Sequence, residues 1–472
     1  MTTLQKEMKI TRTKLPKLTL EPDQLEAVKR MMAEPTKACL NASLMGTGKT
    51  LMGVEVAKGI GAKTVLVVGP LNTFWGWHDT IQRQNDYKAN GLNKIDSAKA
   101  NSLNMYNLAN GVEGWYFIGR EYFRTKDWSK ITPDLVLVDE CHFAQNRNSK
   151  SHKALMKLKA GFKVSMSGTP YGNKFEGFWA VSRWLWPTYE KIIPKSFWAW
   201  VDQWCNTEWS PFTQYNVMGE YRPGEFAKSL PCYVRLTPKE NIEVVQEVRY
   251  VDLVPAQKKI YDKFQTDLVV WLKDNPLIAE VPIATRIRLR QITLAVPSLS
   301  PEGEVYFEEE AVSTKYKALL EIMQDSPDEH MFILTDSQKY AKIVANRLNK
   351  KFGEGTAFEW SGRASQKQRE VAKKAFMDGD TKYIVAVIPA IAEGVDGLQD
   401  VCSTIVWLSK SDSNILNQQV QDRIRRRGQK EVVKVYDIVA RDTYDEGQLS
   451  SLVEQQIIMN ATLRKEKNVK DE

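Results

Sequence analysis

The feature that most constrains this chain is a pair of strand series. Short apolar runs bounded by turn residues, TVLVVG (64–69), LVLVDE (135–140) and FKVSMSG (162–168), alternate with longer helical patterns. A second series follows at MFILTD (331–336), YIVAVI (383–388), STIVWLS (403–409) and VVKVYDIV (432–439). Runs that are apolar at nearly every position, not at alternate ones, belong to strands buried on both faces of a parallel sheet. Each such sheet needs helices on both faces, so two series about 160 residues apart predict two α/β domains of related build. A chain of 472 residues also exceeds what one hydrophobic core usually supports. The join is expected near 240–250, giving domains 1–245 and 246–472, the second with a helical lead-in over about 255–300.

Between the series the composition changes. Seven of the fourteen tryptophans fall within residues 175–210. The reading is a helical, Trp-rich insertion over about 175–235 that uses aromatics as core, with a base-stacking surface as the alternative. Apolar residues at 43% and charged residues at 26% suit a folded, soluble protein. No stretch approaches the roughly 18 apolar residues of a membrane span, and the first residues lack the apolar core of a signal peptide, so a cytoplasmic protein without membrane contact is expected. Five scattered cysteines without a CxxC pair and four histidines fit neither a disulfide framework nor a histidine-rich metal centre. The net charge of +8 favours polyanionic partners.

Two motifs carry chemistry. NASLMGTGKT (41–50) ends as a phosphate-binding loop ends: glycines let backbone N–H groups turn onto phosphate, Lys49 meets its charge and the Thr50 hydroxyl holds Mg²⁺. Ser43 stands where the full pattern has its first glycine, so this stretch alone reads equally as an ordinary glycine-rich turn. The second motif, LVLVDECHFAQN (135–146), ends a strand in adjacent carboxylates. Asp139 is placed to hold the metal and Glu140 to orient or deprotonate the attacking water. Both halves of a metal–phosphate site in one α/β unit make nucleotide hydrolysis the better account, against a small-molecule kinase that has no use for a second such domain.

From here the chain resembles the superfamily-2 helicases and translocases, most closely the Swi/Snf-type ATPases. EPDQLEAVKRMM (21–32) resembles the adenine-reading motif, with Asp23 where an aromatic is usual. GPLNTFWGW (69–77) is similar to the segment that contacts a nucleic-acid backbone, and SGTPYGNKFEGFW (167–179) to the Ser/Thr-Gly-Thr-Pro motif. RLRQI (288–292), FEWSGRASQKQREVAKKAF (358–376), AEGVDGLQD (392–400) and NQQVQDRIRRRGQKEVVKVYDIVARDTYDE (417–446) resemble the family's later motifs in order.

The resemblance implies two RecA-like parallel-sheet domains in tandem, ATP and Mg²⁺ as ligands, and DNA, whether duplex, forked or branched, as partner. It implies ATP contacts at Gln24, Met45, Gly46, Thr47, Gly48, Lys49, Thr50, Gly394 and Asp396, and coupling roles for Ser167, Thr169 and Gln419. Nucleic-acid contacts are implied at Thr73, Ser337, Ser361 and Gly362. Arg423 and Arg426 fall on the finger arginines, with Arg425 at the usual histidine and Arg427 at the usual isoleucine. Residues three apart share a helix face, so this pair is expected on one face of a helix, aimed at one phosphate, with Arg427, four residues from Arg423, on nearly the same face and the choice of pair open. Arg286 and Arg290 share a face of another predicted helix, where a solvated, domain-bridging or DNA-contacting role is open. The implied activity is ATP-driven movement on DNA by a monomer, in replication, recombination or repair and alongside other proteins of those pathways. An RNA helicase or a slow nucleotide-dependent scaffold is the alternative.

Overall fold

A computed structural model describes residues 16–85, 91–172, 174–210, 214–238, 242–272, 275–278, 282–391, 397–426 and 428–462. The chain divides into two compact units, one of residues 1–238 together with the C-terminal residues from Ile458, the other of residues 239–457. Every strand run predicted above is a strand, and both main sheets are parallel throughout.

In the first unit the strands are β1 (Ala38–Asn41), β2 (Thr64–Gly69), β3 (Leu92–Ile95), β4 (Gly114–Gly119), β5 (Leu135–Asp139), β6 (Phe162–Met166) and, after the insertion, β9 (Tyr233–Val234). They lie in the order β3-β4-β2-β5-β6-β1-β9. Every residue of β1, β2 and β5 is buried, which is why these strands carry Val, Leu and Ala with no polar alternation. Asn41 and Asp139 both sit opposite Met166 in register. The C-terminal ends of β1, β6 and β5 therefore finish level, at the edge where ligands bind in open parallel sheets.

The Trp-rich segment is only partly helical. It contains helices Gly177–Leu185, Phe197–Trp204 and Glu225–Ser229, but also an antiparallel hairpin of β7 (Cys205–Ser210) and β8 (Gln214–Glu220). Its core reading holds for most of the tryptophans. Trp179, Trp184, Trp186 and Trp204 donate their indole N–H to backbone carbonyls of Pro194, Leu158, Ala38 and Ile192. Those bonds allow large rings to be buried without an orphaned donor. Phe175, Phe178, Trp200 and Phe226 pack together, with Trp200 and Phe226 5.1 Å apart at near right angles.

The second unit orders β10 (Val244–Val251), β15 (Met331–Thr335), β16 (Ala357–Trp360), β17 (Tyr383–Val387), β18 (Thr404–Trp407) and β19 (Val433–Ala440) as β10-β19-β18-β15-β17-β16. The lead-in predicted as helical has helices Pro255–Asp267 and Pro282–Leu294, with a hairpin of β11 (Val269–Leu272) and β12 (Asn275–Ile278) between them and a short one of β13 (Ser298–Leu299) and β14 (Val305–Tyr306) after them. All five cysteines are buried and free, and among the described residues no helix is long and apolar enough to cross a membrane.

Candidate active site

The loop after β1 forms a cradle. Gly46 and Gly48 both adopt φ of +77°, a left-handed conformation that glycine takes without strain. At Gly48 there is a second reason for glycine: a Cβ there would lie 2.8 Å from Gln24 Nε2. That amide donates to Thr47 O at 2.9 Å, and Gln24 Oε1 accepts from Glu21 N at 2.8 Å, so the start of helix Pro22–Ala33 is tied to the cradle. Lys49 opens helix Lys49–Gly59, whose N-terminal N–H groups favour an anion. Its ammonium donates to Ser43 O at 2.9 Å and Leu44 O at 3.1 Å, which places it inside the curl of the loop.

Ser43, at the position of the missing glycine, has a structural use. It is fully buried, its N–H donates to Asn41 Oδ1 at 3.1 Å, and its hydroxyl accepts from Leu236 N at 3.0 Å. Leu44 N donates to Leu236 O at 3.0 Å, and Arg235 Nη1 donates to Ala42 O at 2.8 Å and Gly168 O at 3.4 Å. The segment following β9 thus zips onto the cradle and clasps it to the loop after β6. The serine trades a glycine's freedom for a hydrogen bond to this strap.

Asp139 ends β5 and Glu140 follows with φ of +50°, a strained conformation costing on the order of 1–3 kcal/mol that tends to occur where a side chain must be aimed. Asp139 Oδ2 accepts the Trp77 indole N–H at 3.0 Å and its Oδ1 the Glu140 N–H at 3.1 Å. Glu140 Oε2 accepts the Ser167 hydroxyl at 2.9 Å and lies 3.3 Å from His142 Nδ1, which is itself 3.0 Å from Ser167 Oγ. Burial pushes both carboxyls up. At Asp139 burial prevails, reinforced by the charge of Glu140, and the carboxyl sits above its ordinary range. At Glu140 burial is overcome by the hydrogen bond and charge of His142, the charge of Lys49 and the Ser167 hydroxyl, which hold it below its ordinary range.

The end of β2 lies against Asp139, with the loop that follows beside it. A Cβ at Gly69 would meet Asp139 Cβ at 3.1 Å, and Thr73 turns its hydroxyl back to Pro70 O at 2.9 Å. The first unit therefore brings together Gln24, residues 45–50, Thr73, Asp139, Glu140, Ser167 and Thr169, whose N–H donates to Ser167 Oγ at 3.2 Å. Sequence reasoning passed over Trp77, His142, Ser43's partner Leu236, and Arg235. Of these, Trp77 lay within GPLNTFWGW and His142 within LVLVDECHFAQN, whereas Leu236 and Arg235 lay outside every motif.

The second unit carries the remaining candidates. Ser337 follows β15 and caps helix Gln338–Phe352 through Tyr340 N, and Ser361 follows β16, buried, with its hydroxyl accepting from Arg363 N at 3.3 Å. Gly362 is exposed beside it. Gln419 is half-buried on helix Asn414–Gln421. That helix stops at Gln421, so the expectation that Arg423 and Arg426 share one helix face is corrected. The chain tightens through turns instead, with Arg425 N bonded to Gln421 O and Arg426 N to Ile424 O, both at 3.0 Å. Ile424 is buried in the core of its unit and anchors the turn. Four arginines within residues 423–427, interrupted only by Ile424, offer a single apolar side chain and no stripe along which a helix could pack. Arg427, Gly394 and Asp396 lie outside the described residues. Arg290 is internally engaged, 2.7 Å from Asp336 and 3.4 Å from Asp412, whereas Arg286 is exposed.

A family model described as the SNF2-related domain matches residues 23–293, more than half of the 472-residue chain. The chain belongs to the SNF2-related family. It is accordingly an ATPase of helicase superfamily 2. A protein named "Probable global transactivator" from Orgyia pseudotsugata multicapsid polyhedrosis virus is 23% identical over 84% of this chain and 80% of its own length. An uncharacterized ATP-dependent helicase of Mycoplasma genitalium is 24% identical over 71% of this chain and 31% of its own. The chromodomain-helicase-DNA-binding protein 1-like of Danio rerio is 21% identical over 90% of this chain and 42% of its own. This SNF2-related chain thus spans most of the viral relative and less than half of the other two. Among solved structures, the Sulfolobus solfataricus SWI2/SNF2 ATPase core in complex with dsDNA is 18% identical, covers 95% of this chain and 94% of its own, and superposes with a TM-score of 0.42.

Proposed function

We propose that this chain couples ATP hydrolysis to movement along DNA, acting on duplex or branched substrates in replication, recombination or repair, as a monomeric engine working beside other proteins of those pathways. The observation that carries the reading is the linked constellation of Lys49, Asp139, Glu140 and Ser167 at one sheet edge. A carboxylate held ionised by Ser167 and His142 beside a phosphate cradle suits a group that orients and deprotonates water. Because Ser167 also accepts from Thr169 N, any shift of the loop after β6 alters the Glu140 geometry, which suits a coupling role.

The oxygen donors Asp139 and Thr50 fit Mg²⁺, a hard cation. The raised Asp139 carboxyl is a group whose ionisation a neighbouring cation favours. When bound, Mg²⁺ neutralises phosphate charge. Gln24 with residues 45–50 holds the nucleotide, joined by Gly394 and Asp396. Arg423 and Arg426 stabilise the charge that develops on the departing γ-phosphoryl, a role resting on the motif resemblance and not on a shared helix face. Thr73, Ser337, Ser361 and Gly362 contact the DNA backbone, Gln419 relays between DNA and nucleotide, and the printed name of one relative, the chromodomain-helicase-DNA-binding protein 1-like, supports the choice of DNA.

The test is ATPase activity of the whole chain with duplex DNA, forked DNA, single strands and RNA. Stimulation greatest with duplex or forked DNA is expected. No stimulation by any nucleic acid would refute movement on DNA, and stimulation by RNA alone would reassign the substrate.

A further inference from the structure

Among the described residues of the Trp-rich insertion five aromatic side chains are exposed, Tyr189, Trp198, Trp209, Tyr215 and Tyr221, and three of them are linked by helix and hairpin contacts. Trp198 is 47% exposed, Tyr215 54% and Trp209 69%. Trp209 pairs directly with Tyr215 across the hairpin, and the Tyr215 ring centroid lies 6.4 Å from that of Trp198. The three rings therefore run in a row from helix Phe197–Trp204 onto the ribbon. Arg147 closes one end, its guanidinium 3.6 Å over Phe197 and 5.8 Å from Trp198. The hairpin is a two-stranded sheet of its own.

Alternation along the strands puts Thr207 and Val217 on the face of Trp209 and Tyr215, and turns Glu208 and Asn216 to the other. The other hairpin carboxylate, Glu220, is buried and spent on the N–H groups of Gly224 and Phe226 at 2.6 and 2.7 Å. Among its described residues the ribbon's aromatic face thus carries no carboxylate; on the neighbouring helix the exposed Asp202 stands one turn from Trp198, on the same face. An aromatic row with an arginine at its end is complementary to flat rings on an anionic backbone.

We propose that Trp198, Tyr215 and Trp209 form a stacking platform for unpaired bases of DNA, an inference that rests on the DNA-translocase reading. Size favours bases over a protein. Two or three rings suffice for two or three bases, whereas a stable protein interface engages roughly 20–30 residues a side. The platform gives the motor a contact for the opened strand of a fork that backbone contacts alone do not supply.

The experiment measures binding of the whole chain to labelled oligothymidylate, to an abasic strand of equal length and to blunt duplex, for the wild type, W209A/Y215A and W209F/Y215F. The wild type should prefer oligothymidylate to the abasic strand. W209A/Y215A should lose about tenfold or more on oligothymidylate, with abasic and duplex affinities kept, and the phenylalanine variant should retain most of the preference. No wild-type preference, or an equal loss on all three ligands, overturns the platform. Unchanged affinities in the alanine variant also overturn it and leave the ribbon as a protein-docking face. Duplex-stimulated ATPase is read in parallel. If no nucleic acid stimulates the wild type while the base preference persists, the motor reading fails and the platform stands.

Discussion

The two parallel sheets end in different chemistry. At the strand ends of the first unit, Asp139 is held by an indole and a peptide N–H, and Glu140 by a serine hydroxyl and His142. In the second unit the acids are held by cations: Asp336 by Arg290 at 2.7 Å, Asp437 by Lys410 at 2.8 Å and Asp445 by Lys315 at 2.5 Å. In the first arrangement neutral donors bond Asp139, and Ser167 and His142 bond Glu140, with the Lys49 charge acting on both, whereas in the second each acid pairs directly with a lysine or arginine. On the proposed function, substitutions at these two sets of acids should fail in different ways, the first in rate and the second in stability.

The largest effect is expected where the second unit is proposed to contribute to chemistry. R423A/R426A should slow nucleic-acid-stimulated turnover by about 10³-fold or more while nucleotide binding persists. Turnover within a few-fold of wild type would remove both arginines from catalysis, and the single variants identify which carries the effect. E140Q should lower kcat by about 10²-fold or more, with ATP affinity and thermal stability near wild type, and a stability loss in place of a rate loss would make Glu140 structural. K315M inverts the pattern. It strands the buried Asp445, also bonded by Thr293, and should cost about 3–5 kcal/mol in denaturant unfolding, with K315M/D445L recovering much of it.

A subtler contrast tests the strap. R235A removes the bonds from Arg235 to Ala42 and Gly168. It should raise the KM for ATP several-fold more than it lowers kcat, and R235K should restore part of the loss. Equal loss of stability and activity would reduce Arg235 to a packing residue. The smallest effect concerns pH. Burial lowers His152 in the first unit from its ordinary 6.5 to about 4. The unfolded chain therefore takes up its proton first, and stability should decline as pH falls from about 6.5 towards 4 and be unaffected above that window. H152Q should flatten that slope in urea titrations, and an unchanged slope would assign it to other groups.

The strands were legible because burial on both faces demands local apolar runs, and TVLVVG or LVLVD shows this without reference to the rest of the chain. The cradle and the carboxylate pair were legible for a similar reason, since each is a short contiguous motif. The end of the helix at Gln421 was not, because periodicity in an arginine run says nothing about where Ile424 finds its core. The hairpin within the insertion was hidden by tryptophan content that reads as core in either element.

What the amino-acid order determined alone was the sheet class, the cradle and the acidic pair, all set by interactions within a few residues. Only the tertiary structure decided which groups complete them. Trp77 meets Asp139 across 62 positions, Leu236 meets Ser43 across 193, and Gly168 lies 67 positions from the guanidinium that clasps it. Such bonds form only after the parallel sheet has brought distant strand ends level, and no local pattern encodes them.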